Sequence, residues 1–267
     1  MFFIIKMKIF ILLLFSTSLF AQNKNTPKVL EIYPTTGSIP VNILRFYIQF
    51  SSPMQEIDIL RHIKLTNEKG ENITGVFFEN QYELWNKDRT KITLIIDPGR
   101  VKSGLFANNE MGRAFDEGKK YTLEVDSLLL DFKDQKLSES FTKKFVAVKE
   151  DNIPPDPKLW KLSLPKTNTK NNISIAFNDK IDHISAQTLI RIFKDKKPIN
   201  GKILLAIDEE KISFVPNNKW KKGKYQILIN PQLEDISANS VNQIFDHKLL
   251  DFKPNNKDNI TLNFIIE

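Results

Sequence analysis

The chain has no cysteine. That excludes disulfide bridges, thiolate metal sites, a cysteine nucleophile and acylation of an N-terminal cysteine. Histidine is scarce: there are 3, His62, His183 and His247, far apart in the chain. None stands with a second His, Asp or Glu at the spacing of a helical metal motif. No Gly-x-Ser-x-Gly, His-Glu-x-x-His or phosphate-loop pattern occurs. Beyond Phe15 there is no apolar run of the roughly 20 residues that a membrane-spanning helix needs. Charge is dispersed as well. The 39 basic and 32 acidic residues give a net charge of +7 without a one-sign block of the kind that grips nucleic acid. A basic excess spread this way suits a solubilising lysine-rich surface, or weak attraction to an anionic envelope or polysaccharide.

What is present begins with an address. Lys6 and Lys8 precede the short apolar run Ile9–Phe15, and residues 16–21 form a polar-to-small exit ending at Ala21. This is the layout of a secretory signal peptide, residues 1–21, with cleavage expected after Ala21. The protein is therefore expected to be exported, to the periplasm or the cell surface, with no transmembrane segment after cleavage. Loss of the two lysines takes the net charge from +7 to +5. An exported chain without disulfides relies on burial alone, which units of more than about 100 residues can provide.

Short strands follow, separated by Pro, Gly and Asn turns. After a loose segment, 22–27, Val29–Tyr33 reads as a strand stopped by Pro34. In the next stretch Leu44, Phe46, Ile48 and Phe50 alternate with Arg45, Tyr47 and Gln49, the period of a strand with one face buried. Ile63–Thr66 and Ile73–Phe78 flank Asn67–Gly70 and read as a hairpin. Lys91–Ile96 ends at Asp97-Pro98-Gly99, which reads as a type II turn. Tyr121–Val125 and Phe141–Val148 complete the first half. Pro154, Pro155 and Pro157 then stiffen a linker, 150–157.

The pattern then restarts. Ile173–Phe177 matches Phe46–Phe50 at a spacing of 127, and Ile190–Ile192 matches Ile63–Leu65 at the same spacing. Ile199-Asn-Gly201 follows Ile73-Thr-Gly75, Lys211–Val215 before Pro216 follows Lys91–Asp97 before Pro98, and Gly223-Lys-Tyr225 follows Gly118-Lys-Lys-Tyr121. The order of signals indicates an internal duplication. The expected fold is all-β: two tandem Ig-like antiparallel β-sandwiches, 28–149 and 158–267. The second copy carries a surplus. Beyond a strand expected near Ile244–Phe252, Ile260–Ile266 alternates as a further one, with an edge of the second unit and a bridge to the first both open as its place.

Three segments carry a family resemblance. Phe50-Ser-Ser-Pro-Met54 resembles the step that ends the second strand in bacterial Ig-like domains of the surface-layer (SbsA) type. Phe214-Val-Pro, Trp220 and Gly223-Lys-Tyr225 resemble that family's Trp and Gly-x-Tyr segment. Leu233-Glu-Asp-Ile-Ser-Ala-Asn239 resembles its Asp-x-Ala-Gly-Asn loop, with Ala238 where Gly is usual and Asn239 expected to supply a left-handed turn. The resemblance implies a fold and a cell-envelope setting, with no shared catalytic residues.

A non-catalytic structural or adhesive role, towards a protein or polysaccharide of the envelope, is the function expected. A carbohydrate- or small-ligand-binding module is the alternative. No enzyme activity and no cofactor are expected. Acid pairs such as Glu209-Glu210 and Glu234-Asp235 read as solvated loop residues. The binding candidates come from comparing the two copies. From Pro98 to Gly118 is 20 positions, and from Pro216 to Gly223 only 7. The first copy's longer loop holds Arg100, Lys102 and Arg113, with a helical turn expected over Asn109–Phe115, and long loops on rigid sandwiches often bind. The competing reading is a loop packed on its own sheet, with Arg113 paired to Glu110. Of Trp85, Trp160 and Trp220, Trp85 is the one expected to be exposed, as a sugar-stacking platform would require, while Trp220, beside a turn between strands, reads as a cap on the sandwich end. No metal is expected. The weak calcium candidates are Glu150, Asp151, Asn152 and Asp156 in the linker, fewer than the six to eight oxygens that Ca²⁺ takes.

Overall fold

A computed structural model describes residues 26–56, 58–246 and 258–267. The expected signal peptide, His247 and most of the strand expected near Ile244–Phe252 lie outside the described residues.

The fold is all-β, with short helical turns between strands. In the first half the strands are β1 (Val29–Tyr33), β2 (Ser38–Pro40), β3 (Arg45–Phe50), β4 (Ile63–Asn67), β5 (Leu84–Trp85), β6 (Lys91–Ile95), β7 (Lys120–Val125) and β8 (Phe141–Val148). They form two sheets, ordered β1-β3-β6-β5 and β2-β8-β7-β4. The pairings are antiparallel except for the short parallel one between β2 and β8. The period of two in β3 does what it must: Phe46, Ile48 and Phe50 turn inward with Ile92 and Leu94 of β6. They meet Leu123 and Val125 of β7 and Phe145 of β8 in one apolar cluster. Each side chain buried this way stabilises by roughly 1.5–3 kcal/mol.

In the second half the strands are β9 (Lys161–Ser163), β10 (Ile173–Ala176), β11 (Ile190–Lys194), β12 (Lys197–Pro198), β13 (Gly201–Leu205), β14 (Lys211–Pro216), β15 (Gly223–Ile229) and β16 (Ile260–Ile266). Their sheets are ordered β9-β10-β14-β13 and β16-β15-β11-β12. Ile173, Ile175, Ile212 and Phe214 of one sheet pack on Ile190, Ile192, Tyr225, Ile227 and Phe264 of the other.

The strand orders of the two halves run in parallel. β1-β3-β6-β5 corresponds to β9-β10-β14-β13, and β4-β7-β8 to β11-β15-β16. β16 therefore stands in the second half where β8 stands in the first, paired along its length with β15. Of the two places left open by the sequence, it takes the edge of the second half. A shared tyrosine device also recurs behind the Gly-Lys turns. Asp116 donates its backbone N–H to the Tyr121 hydroxyl at 2.8 Å, and the Tyr225 hydroxyl donates to the Lys221 carbonyl at 2.7 Å.

Two local readings are corrected. Asp97-Pro98-Gly99 starts a helical turn, α1 (Pro98–Val101), rather than a type II turn. Pro98 sits at the first helical position, where its missing N–H costs nothing, and the Asp97 carboxylate accepts from Gly99 N at 2.8 Å. Ile73–Phe78 is not the second arm of a full hairpin. Ile73 N donates to the Leu65 carbonyl at 2.9 Å, but Phe78 N donates to Ile95 in the opposite sheet at 2.8 Å. Gly75, at φ 63°, supplies the left-handed step between the two.

Candidate functional site

The long loop of the first half holds α1 and a second helical turn, α2 (Phe106–Met111), placed earlier than the expected Asn109–Phe115. Arg100 does not face solvent. It is 8 % exposed, and its guanidinium donates to the carbonyls of Gly112 at 3.2 Å, Gly75 at 3.2 Å and Arg113 at 2.9 Å. A guanidinium carries five donors in a rigid fork, so one buried Arg can close a loop whose carbonyls have no strand partner. Arg113 is paired, though not to Glu110: it reaches Glu150 in the linker at 2.6 Å. Lys102 lies over the Phe245 ring at 4.4 Å, and Ser103 N donates to Asp246 at 2.9 Å. The loop's cations thus tie the first half to the linker and to the segment after residue 240. Among the residues the loop leaves exposed are Leu105, Met111 and Phe106, the last at 80 %, beside the polar Asn109 and Glu110.

Trp85 is half-buried rather than exposed. Its ring lies 5.7 Å from Phe50, and its indole N–H donates to Glu83 at 2.6 Å. The exposed rings of this region are Tyr82, at 71 %, and Phe78, at 45 %.

A cluster of three carboxylates forms between the halves. Asp151 of the linker, Asp179 after β10 and Asp235 in the loop after β15 bring carboxylate oxygens within 4.8 Å of one another. Asp235 is fully buried. One of its oxygens accepts from Ser237 N at 2.8 Å and Asn239 N at 2.9 Å, and the other from the Asn239 amide at 2.9 Å. The Asp151 carbonyl accepts from Asn42 at 2.7 Å and Asn239 at 2.9 Å. Burial pushes Asp235 up to about 9, with the charges of Asp179 and Asp151 adding to it against the opposing Asn239 bonds. Burial, then the charge of Asp151, pushes Asp179 up to about 6, and burial raises Asp151. Three carboxylates this close cannot all ionise uncompensated. They share protons at neutral pH, or offer a hard cation the oxygen donors it takes.

Of the linker's calcium candidates only Asp151 joins this cluster. Glu150 is held by Arg113, Asp156 accepts from Lys158 N at 2.9 Å in capping a helical turn, and Asn152 is exposed. Asp179 and Asp235 carry no local sequence signal for such a role, because their meeting depends on how three loops converge. The single hint was the Asp-Ile-Ser-Ala-Asn loop itself.

Around this cluster the halves interlock through buried polar side chains. Glu209, expected in solvent, is fully buried and reaches the turn after β1. Its carboxylate accepts the Thr35 hydroxyl at 2.8 Å, Thr36 N at 3.1 Å and Thr35 N. Glu209 and Asp208 both hold positive φ, 59° and 68°, a costly conformation that aims the side chain into the other half. Lys143 closes the far side of the turn, donating to the carbonyls of Thr35 at 3.1 Å and Thr36 at 3.0 Å. The Tyr47 hydroxyl donates to Asp182 at 2.7 Å, and Arg45 pairs with Glu234 at 2.6 Å. His183 stacks on Tyr33 at 3.7 Å, with its Nε2 2.9 Å from the Lys91 ammonium. Burial, then the Lys91 charge, pushes His183 down to about 3, so it is neutral. These contacts cover the β3 face that carries Arg45, Tyr47 and Gln49, which in a lone sandwich would face water.

No family model and no curated protein matches this chain. Among solved structures it is similar to the N-terminal part of the bacterial S-layer protein SbsC, at 13% identity and TM-score 0.32, over 76% of this chain and 40% of that one. It is similar to the S-layer protein rSbsC(31-844) at 11% identity and TM-score 0.31, over 91% and 41%. It is also similar to native alpha-2-macroglobulin from Escherichia coli spanning domains MG0-NIE-MG1, at 10% identity and TM-score 0.29, over 78% and 67%. The chain spans about two fifths of the SbsC structures' length. Among the described residues no helix is long and apolar enough to cross a membrane.

Proposed function

We propose that this is an exported, non-catalytic protein of two tandem Ig-like units, 28–149 and 158–267, joined by a linker at 150–157. Its role is structural or adhesive at the cell envelope, as a pair of sandwiches held in one fixed orientation. The observation that carries this reading is the insertion of Glu209 from the second unit into the Thr35-Thr36 turn of the first. The groups most able to do acid–base chemistry, Glu209, Asp182, His183 and Asp235, are all engaged in holding the units together or in the loops that do so. A flexible tether between the units would need none of these contacts.

The surface-layer resemblance of the Phe50–Met54 and Leu233–Asn239 segments supports the envelope setting. The test is to fractionate cells producing the full chain with a C-terminal tag and to measure the intact mass. A chain beginning at Gln22 in the periplasmic or surface fraction is expected. A full-length chain confined to the cytoplasm would refute the reading.

A further inference from the structure

A cavity of about 680 Å³ lies on the first half, beside the interlocked face. It is formed by an arch. The chain leaves β6 at Phe78, whose N–H donates to Ile95 at 2.8 Å, and returns at Leu84, paired with Thr93. The arch is pinned at its return by Glu83, which accepts from the Trp85 indole at 2.6 Å and from Ile59 N. Between these anchors Glu79, Asn80 and Gln81 line the cavity, and among the described residues their side chains make no hydrogen bond or ion pair. Phe78 and Tyr82 flank them, 45 % and 71 % exposed. The sequence Phe-Glu-Asn-Gln-Tyr thus presents two aromatic faces around three uncommitted polar groups.

The lining selects by chemistry. It carries Glu56, Asp58, Glu79 and Glu83, of which Glu56 pairs with Arg89 at 2.9 Å and Asp58 with Arg61 at 2.6 Å, so Glu79 and Glu83 are left in excess and anionic ligands are repelled. A wholly apolar ligand would strip water from Glu79, Asn80 and Gln81 without replacing its hydrogen bonds. A ring with hydroxyls on its edge and C–H groups on its faces satisfies both features. Hydroxyls donate to the carboxylate and exchange bonds with the amides, and the ring faces rest on Tyr82 and Phe78. The cavity volume falls in the range of small-molecule sites. We infer that this arch binds a neutral saccharide. The inference goes beyond the structural role proposed above and does not depend on it, since the assay below reads neither cell location nor the fixing of the units.

The test uses the chain from Gln22 onward on a neutral-glycan array, followed by titration of the hits, with hexalysine as a cationic probe. Trp85, hydrogen-bonded to the arch, reports by fluorescence. Binding of a neutral oligosaccharide with a change in Trp fluorescence is expected, weakened about tenfold or more by Tyr82→Ala and by Glu79→Ala at unchanged Tm. Both residues are exposed, so neither change should impair folding. A silent array, saccharide binding indifferent to both substitutions, or binding of hexalysine in place of any saccharide would each overturn the inference.

Discussion

The Thr35 hydroxyl donates to the Glu209 carboxylate at 2.8 Å across 174 positions of sequence. The same carboxylate receives the N–H groups of Thr35 and Thr36, so one side chain of the second half organises a turn of the first. Glu209→Ala leaves these donors without an acceptor in a buried place. Each orphaned donor costs on the order of 1–3 kcal/mol, and a total loss of about 3 kcal/mol is expected from denaturant unfolding. Glu209→Gln keeps one oxygen and should lose about half as much.

The pH dependence has two opposing sources. Asp179 and Asp235 are raised in the folded state, to about 6 and about 9, so their contribution is complete below the usual carboxylate value and is lost as pH rises through those values. His183 is lowered to about 3, so its contribution is complete above its ordinary value of 6.5 and is lost as pH falls towards 3. Above neutrality the Asp235 limb lowers stability from pH 7 to pH 9, opposed by Lys91 and Lys143, which burial lowers. Asp179→Asn removes a neighbouring charge and keeps an acceptor for Lys180 N. It should raise Tm at pH 8 by roughly 2–4 °C and change it much less at pH 4. Thermal melts of the two chains at both pH values check this.

Gly201 marks a close approach inside the second half. A Cβ there would lie 2.5 Å from the Phe214 ring and 2.5 Å from the Val215 carbonyl oxygen. β13 and β14 are paired through this point, so the backbone cannot simply yield. Gly201→Ala should destabilise by about 2 kcal/mol, as overpacking does. A denaturant midpoint equal to that of the unaltered chain would contradict the contact.

Ala238 shows what was legible in the sequence and what was not. The loop Leu233–Asn239 was recognisable, and so was its need for a left-handed residue. The sequence pointed to Asn239, but Ala238 itself adopts φ 63°. Its methyl is buried in the apolar cluster of the first half, a partner no local pattern reveals. Replacing it by glycine removes strain of about 1–2 kcal/mol, loses about 0.8 kcal/mol of burial and adds chain entropy to the unfolded state. Ala238→Gly should therefore leave stability within about 0.5 kcal/mol of its starting value, checked by chemical denaturation.

The same reason governs the rest. The inward faces of β3, β6, β10 and β14 follow from alternation, because burial between two sheets writes a period of two into the chain. Tyr47 lies on the outward face and is nonetheless buried, because the second half covers it. Arg100 and Arg113 are cations on a long loop, which reads as a surface. That Arg100 is taken up by the loop's carbonyls and that Arg113 pairs with Glu150 depends on a tertiary path. Asp151, Asp179 and Asp235 come from three separate stretches between strands, so their meeting is a property of how the two halves of the chain pack.

The central proposal is that the two halves of the chain are units held in one orientation. The absence of cysteine makes the direct measurement clean, since introduced thiols are the only labelling sites. Lys64 on β4 and Lys224 on β15 are exposed. Spin labels on the doubly substituted chain, Lys64→Cys with Lys224→Cys, report the separation of the units by pulsed electron paramagnetic resonance. A single narrow distance distribution is predicted, broadening when Glu209→Ala is added. A broad distribution in the chain that keeps Glu209 would contradict the account.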